Sequence, residues 1–203
     1  MSDPLVVSRK HQILQTASRL FREKGYTATT MRDIASAMHI EAASLYHHIR
    51  SKEELLDTIC FEMADKFITA LKEVNDIYFD AEQRLRMAIT FHVQIMTGNM
   101  DQSAVFLNEW RSLPEDKLEA FKKLRNQYEN EFRIIVSDGK KEDIFDDVDE
   151  KLAALTILSA VNWIYQWYNP AGKMSPGEIA DQLSNLLLSG IRKKLIIEPG
   201  YKV

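Results

Sequence analysis

The sequence predicts an all-α protein, with an N-terminal three-helix helix-turn-helix domain over residues 1–50 and a larger helical domain over 51–203. Three observations carry this reading. Apolar residues recur at spacings of three and four along nearly the whole chain, the period of a helix with one buried face. Runs of alternating β-branched residues are scarce. The breaks between periodic stretches carry capping and stop residues.

The elements follow in order. Ser8 to Lys24 is predicted as the first helix, with Ile13, Ala17, Leu20 and Phe21 on one face and Gly25 as its stop. Thr30, spaced to Asp33 as an N-cap with an acidic first turn, opens a short second helix through Ile34, Ala35 and Met38. A third runs from about Ala42 to Ile49, and Ser51 with Glu54 forms a capping box that starts a fourth. Two short helices around a tight turn, behind a longer one, outline a helix-turn-helix. The later helices are expected at about 51–75, 81–98, 101–111, 114–137, 149–168 and 176–195. Pro114, Gly139 and Asn169-Pro170-Ala171-Gly172 mark breaks, and Ser175, Pro176 and Glu178 give the last helix the strongest start signal.

Composition removes several classes. With 7 Gly in 203 residues, neither G-x-x-x-x-G-K nor G-x-G-x-x-G occurs, so nucleotide enzymes lose their main signatures. Cys60 is the single cysteine, which rules out an intrachain disulfide and a thiolate zinc site. Met1 to Lys10 lacks the apolar core of a signal peptide, and Leu152 to Tyr168 is interrupted by Thr156, Ser159, Asn162 and Gln166. The expectation is a soluble, cytoplasmic protein without membrane contact or cofactor. Residues 1–50 carry seven basic side chains against four acidic ones, while the whole chain has net charge −4. A polyanion-binding head on an acidic body would show this imbalance, as would chance variation between two solvated surfaces.

The stretch from Thr30 to Leu55, TMRDIASAMHIEAASLYHHIRSKEEL, resembles the TetR family of bacterial transcriptional regulators. The matching features are Thr30, Ile34-Ala35, Leu45-Tyr46-His47-His48 and Ser51-Lys52-Glu53-Glu54-Leu55, collinear and in the expected helical context. The resemblance implies N-terminal helices that bind double-stranded operator DNA, and C-terminal helices that bind a small effector and form a homodimer.

Physical chemistry gives these residues matching roles. The first turn of a third helix lying in a major groove makes Glu41, Ala42, Ala43 and Ser44 the candidate base readers, since small side chains allow close approach. Tyr46, His47 and Lys52 are expected on phosphate oxygens, with Thr30 doing likewise at the second helix. Tyr46 has the alternative of packing on the first helix. Ile34, Ala35, Leu45 and Ile49 have the spacing of core residues. His47 and His48 point about 100° apart and have no third ligand nearby, so no metal site is expected. His39 stands where the family usually has Gly, so either the turn changes shape or a residue with a Cβ tolerates positive φ.

The body is less legible. Phe91, Ile95, Met96, Phe106, Trp110, Tyr128 and Phe132 recur at helical spacing, and the same residue types would serve as core or as pocket lining. Ile179, Leu183, Leu186, Leu187, Gly190, Ile191 and Leu195 form a stripe on the last helix, so a homodimer through the last two helices is expected, with packing inside one chain as the alternative. The segment Trp163 to Gly172, with Ser175 and Glu178-Ile179-Ala180, is similar to TetR regulators of fatty-acid or acyl-CoA catabolism. That resemblance implies a hydrophobic effector such as an acyl-CoA, for which Trp110, Tyr128 and Trp163 are the candidate lining residues. Arg111, Lys122, Lys123 and Arg125 are candidates for its head group by charge alone. A ligand-responsive repressor is thus the leading reading. A multidrug-efflux regulator answering planar or cationic compounds and a helical scaffold without DNA binding are the alternatives. No Ser/His/Asp order, metal spacing or phosphate loop suggests an enzyme.

Overall fold

A computed structural model of the chain describes residues 8–75 and 79–193. Its helices are α1 (Arg9–Lys24), α2 (Met31–Ala37), α3 (Ala42–Tyr46), α4 (Lys52–Asn75), α5 (Ala81–Gly98), α6 (Met100–Asn108), α7 (Glu115–Lys141), α8 (Glu150–Asn162), α9 (Ile164–Trp167) and α10 (Pro176–Ser189), with a 3₁₀ turn at Trp110–Ser112. Among the described residues there is no strand, only an isolated antiparallel bridge between Phe145 and Arg192. None of the described helices is long and apolar enough to cross a membrane.

Two apolar cores organise the molecule. The first joins α1–α3 to the N-terminal half of α4 and to α6, around Ile13, Phe21, Ile34, Leu45, Leu55 and Phe121. The second lies under α5, α7, α8 and α10, around Leu85, Ile89, Phe132, Ile135, Ile157 and Ile164. Helices α4, α5 and α7 run through both, so the N-terminal helices stand on the same rods that wall the body.

Three boundaries differ from the periodicity. Helix α7 passes through Gly139, because this glycine makes room for a neighbour: a Cβ there would overlap the Phe145 ring. The stretch read as one helix over 149–168 is broken at Trp163. After the break Ile164 joins the second core and Tyr165 the first, where its hydroxyl donates to Asn108 Oδ1 at 3.0 Å. The last helix stops at Ser189 with Gly190 as its C-cap, so Gly190 ends α10 and is exposed there, where a close helix contact was expected. Beyond it, Asp146 N donates to Ile191 O and Lys193 N to Ile144 O. Leu195 lies outside the described residues.

Candidate nucleic-acid interface and ligand cavity

The head is built by local caps. Thr30 Oγ1 accepts from Asp33 N at 3.1 Å and donates to the Asp33 carboxylate at 2.6 Å, while Thr30 N donates to the same carboxylate at 2.8 Å. These bonds hold the Asp33 carboxyl below its ordinary range and leave Thr30 without a free donor. At the α2–α3 turn His39 takes φ 55°, so the turn keeps the left-handed shape that favours Gly and a histidine tolerates it. His39 N closes the turn on Ser36 O at 3.0 Å.

Lys52 lies inside this scaffold. Its Nζ donates to the carbonyls of Tyr26 (3.0 Å), Thr27 (3.4 Å) and Thr29 (3.0 Å) and sits 4.4 Å from the centre of the Tyr26 ring. An ammonium has three donors, and all three close the α1–α2 loop against the start of α4. The phosphate contact expected of Lys52 would have to break this set. Ser51 Oγ accepts from Glu54 N, but Glu54 accepts from Arg50 N, one residue earlier than a regular capping box.

The short α3 presents the other named residues outward. Leu45 and Ile49 are buried beneath it, whereas Glu41, Ala43, Tyr46 and His47 are exposed and Ala42 and Ser44 half-buried. Tyr46 is 52% exposed. Glu41 is the N-cap residue but makes no side-chain cap bond, so its carboxylate is available. Exposed Arg32, His48 and Arg50, not among the expected contacts, also lack side-chain partners among the described residues. Their signal was the positive balance of the head.

In the body, α4, α5, α6, α7 and α8 enclose a cavity of about 270 Å³. Its apolar wall includes Phe67, Ile68, Phe106, Leu107, Leu124 and Leu158, and its polar groups are His92, Tyr128, Asn162, Ser159, Asn126, Arg125 and Glu129. Among the three expected lining residues, Tyr128 is there and the two tryptophans are elsewhere. Trp110 packs beside Phe121, with the guanidinium groups of Arg111 (4.4 Å) and Arg125 (4.6 Å) over its ring. Trp163 is 61% exposed on the outer surface, where the break after α8 turns it away from the cavity. Of the four cations named by charge, Arg125 lines the cavity, whereas Arg111, Lys122 and Lys123 are not in its lining, and Lys122 pairs with Glu119 at 2.7 Å. Arg125 is the cation of the lining, and its Nη1 is buried without a partner among the described residues. His92, which periodicity did not single out, is 2% exposed and stacks on Phe67 at 4.6 Å. Burial pushes its imidazole down to about 3, so it is neutral at pH 7.

Cys60 is fully buried and its thiol is pushed up to about 12 by burial, far from a reactive thiolate. Among the described residues, no group of three or more His, Cys, Asp or Glu side chains could hold a metal.

Two family models divide the chain between them. Bacterial regulatory proteins of the tetR family match residues 13–59, and the tetracyclin repressor-like C-terminal domain matches 79–191. The chain belongs to the TetR family of transcriptional regulators. It is 28% identical over 186 residues to the HTH-type transcriptional repressor KstR2 of Rhodococcus jostii (strain RHA1), covering 90% of this chain and 91% of the relative. The structure of ketosteroid transcriptional regulator KstR2 of Mycobacterium tuberculosis superposes with TM-score 0.89 at 26% identity, over 93% of this chain and 97% of that one. A structure of AibR in complex with isovaleryl coenzyme A and operator DNA is 30% identical, with TM-score 0.78 over 89% and 98% of the two chains. As a TetR regulator, the chain is a ligand-responsive DNA-binding protein and not an enzyme. Its charge imbalance and the outward face of α3 fit that role.

Proposed function

We propose that this TetR regulator is a cytoplasmic repressor released from its operator by an acyl-CoA or another hydrophobic acyl compound. The observation that carries the effector class is the cavity, which pairs an apolar wall with a polar side holding one cation, Arg125, whose buried Nη1 is unpartnered, and the Glu129 carboxylate. At about 270 Å³ it lies just below the usual range for whole drug-sized ligands, about 300–1,000 Å³, so it takes an acyl group and leaves a CoA head outside. Arg125, which lines the cavity, is the cation offered to a bound anion, and Arg111 stands over the same Trp110 ring. The relative crystallised with isovaleryl coenzyme A and the KstR2 repressors support the same class.

In this reading residues 1–50 form the DNA-binding head, and 51–203 the effector-binding and dimerisation body. Glu41, Ala42, Ala43 and Ser44 read base edges, and Tyr46 and His47 hold phosphates. Thr30 and Lys52 act as positioning residues behind them. A homodimer through α8 and α10 would place two α3 helices on half-sites about 34–36 Å apart. The stripe of α10 is only partly available for that contact. Ile179 is buried, while Leu187 and Ile191 are half-buried against the chain's own second core. Leu186 (70% exposed) on α10, with Leu152 (67%) and Leu155 (41%) on α8, are the large apolar side chains left exposed on the two helices.

The test is operator binding titrated with acyl-CoAs of increasing chain length. Each methylene buried in the cavity should lower the releasing concentration about fourfold, since burial is worth about 0.8 kcal/mol per CH₂, until the cavity is full. Release by planar or cationic compounds alone would keep the regulator and replace the effector.

A further inference from the structure

Within the cavity one polar pair is incompletely matched. His92 Nδ1 lies 3.0 Å from the Tyr128 hydroxyl, and His92 Nε2 is sealed from solvent; the Asn162 side chain is near enough to favour a proton on the ring but makes no hydrogen bond of good geometry to Nε2. Both side chains line the cavity, and Asn162 and Ser159 border the same space. The Phe67 ring, stacked on the imidazole at 4.6 Å, fixes its plane.

Counting protons chooses the tautomer. A neutral imidazole carries one N–H, and the Tyr128 O–H must also find an acceptor. If Nδ1 holds the proton, it donates to the phenol oxygen, and both the Tyr128 O–H and bare Nε2 are left unmet. If Nε2 holds it, Tyr128 donates to Nδ1 and a single orphan donor remains, Nε2–H. Buried unmet donors are costly, so the second arrangement wins. The imidazole cannot escape by charging, because burial keeps it neutral well below pH 7.

We propose that His92 Nε2–H, set by Tyr128 through Nδ1, is the donor that fixes an acceptor oxygen of the effector inside the apolar cavity. The inference rests on the acyl-effector reading and adds a specificity-determining residue to it. The acceptor is a carbonyl oxygen, which an acyl-CoA can supply either as the thioester carbonyl or as a ketone farther along the acyl group. A purely hydrocarbon occupant would leave the donor unmet, and the site discriminates against it for that reason.

Three ligands and two variants decide it. Octanoyl-CoA, its S-octyl thioether analogue lacking the carbonyl, and a keto-octanoyl-CoA are titrated against the operator complex of the wild type, His92→Phe and Tyr128→Phe. If the thioester carbonyl is held, the thioether should release DNA about tenfold less effectively than octanoyl-CoA in the wild type. If an in-chain oxygen is held, the keto compound should be about tenfold more effective. Either preference should vanish in His92→Phe, which retains the Phe67 stack, and shrink in Tyr128→Phe. Nitrogen NMR of labelled histidine should show the Nε2–H tautomer before ligand is added. Equal action of all three ligands on the wild type, or an Nδ1–H tautomer, would overturn the assignment and leave the acyl reading standing. Release by none of them would end both.

Discussion

The head and the body differ in what they leave unpaired. In the head, the polar groups at the turns are tied to one another, Thr30 to Asp33 and Lys52 to three carbonyls, and the unmatched groups are exposed: Tyr46, His47, His48 and Arg50. In the body, the unmatched groups are of two other kinds. His92 Nε2 and Arg125 Nη1 are buried, whereas Leu152 and Leu186 are apolar and uncovered. A rigid surface rich in donors suits a polyanion of fixed shape. Buried orphan donors suit a small ligand, and uncovered leucines suit a second copy of the chain.

The sharpest test of this contrast is Leu186→Asp. A charge at this uncovered position should convert the proposed dimer to monomers in sedimentation, and operator affinity should fall about a hundredfold as the two half-sites lose their linkage. A dimer that survives would place the interface elsewhere and remove Leu186 from the comparison. Next in size is Lys52→Ala. Leaving the carbonyls of Tyr26, Thr27 and Thr29 without their donor should cost about 1–2 kcal/mol of stability, read in denaturant unfolding, and weaken every duplex sequence alike. The slope of log affinity against log salt should stay unchanged. A slope smaller by about 0.9 would make Lys52 a phosphate contact and blur the line between scaffold and reading surface. Smallest is His39→Gly, which relieves the φ of 55° and should raise stability by about 0.5–1 kcal/mol, with the head's shape unchanged.

Much of the fold was legible because it is written locally. Thr30 with Asp33 and Ser175 with Glu178 form the boxes that their spacing announces, and the periodic stretches became helices. What stayed hidden depends on partners distant in sequence. Gly139 reads as a break until Phe145 is seen against it, and Trp163 reads as mid-helix until Ile164 and Tyr165 are assigned to separate cores. In the candidate sites, the outward placement of Tyr46 and His47 followed from the spacing of Leu45 and Ile49. The cavity did not follow, since a tryptophan in a periodic stretch carries no mark of facing inward. His92 looked like one more polar residue on α5, and only its neighbours Phe67 and Tyr128 make it distinctive.

The passage of α4, α5 and α7 through both cores has a consequence for how the molecule comes apart. A region can melt separately only if its contacts are confined to itself. Phe121 and Phe132, on one helix, belong to different cores, as do Met96 and Leu85 on another. Fraying either core therefore strips support from a rod that the other needs. The molecule should unfold as one cooperative unit, with a single transition read alike by probes in either core.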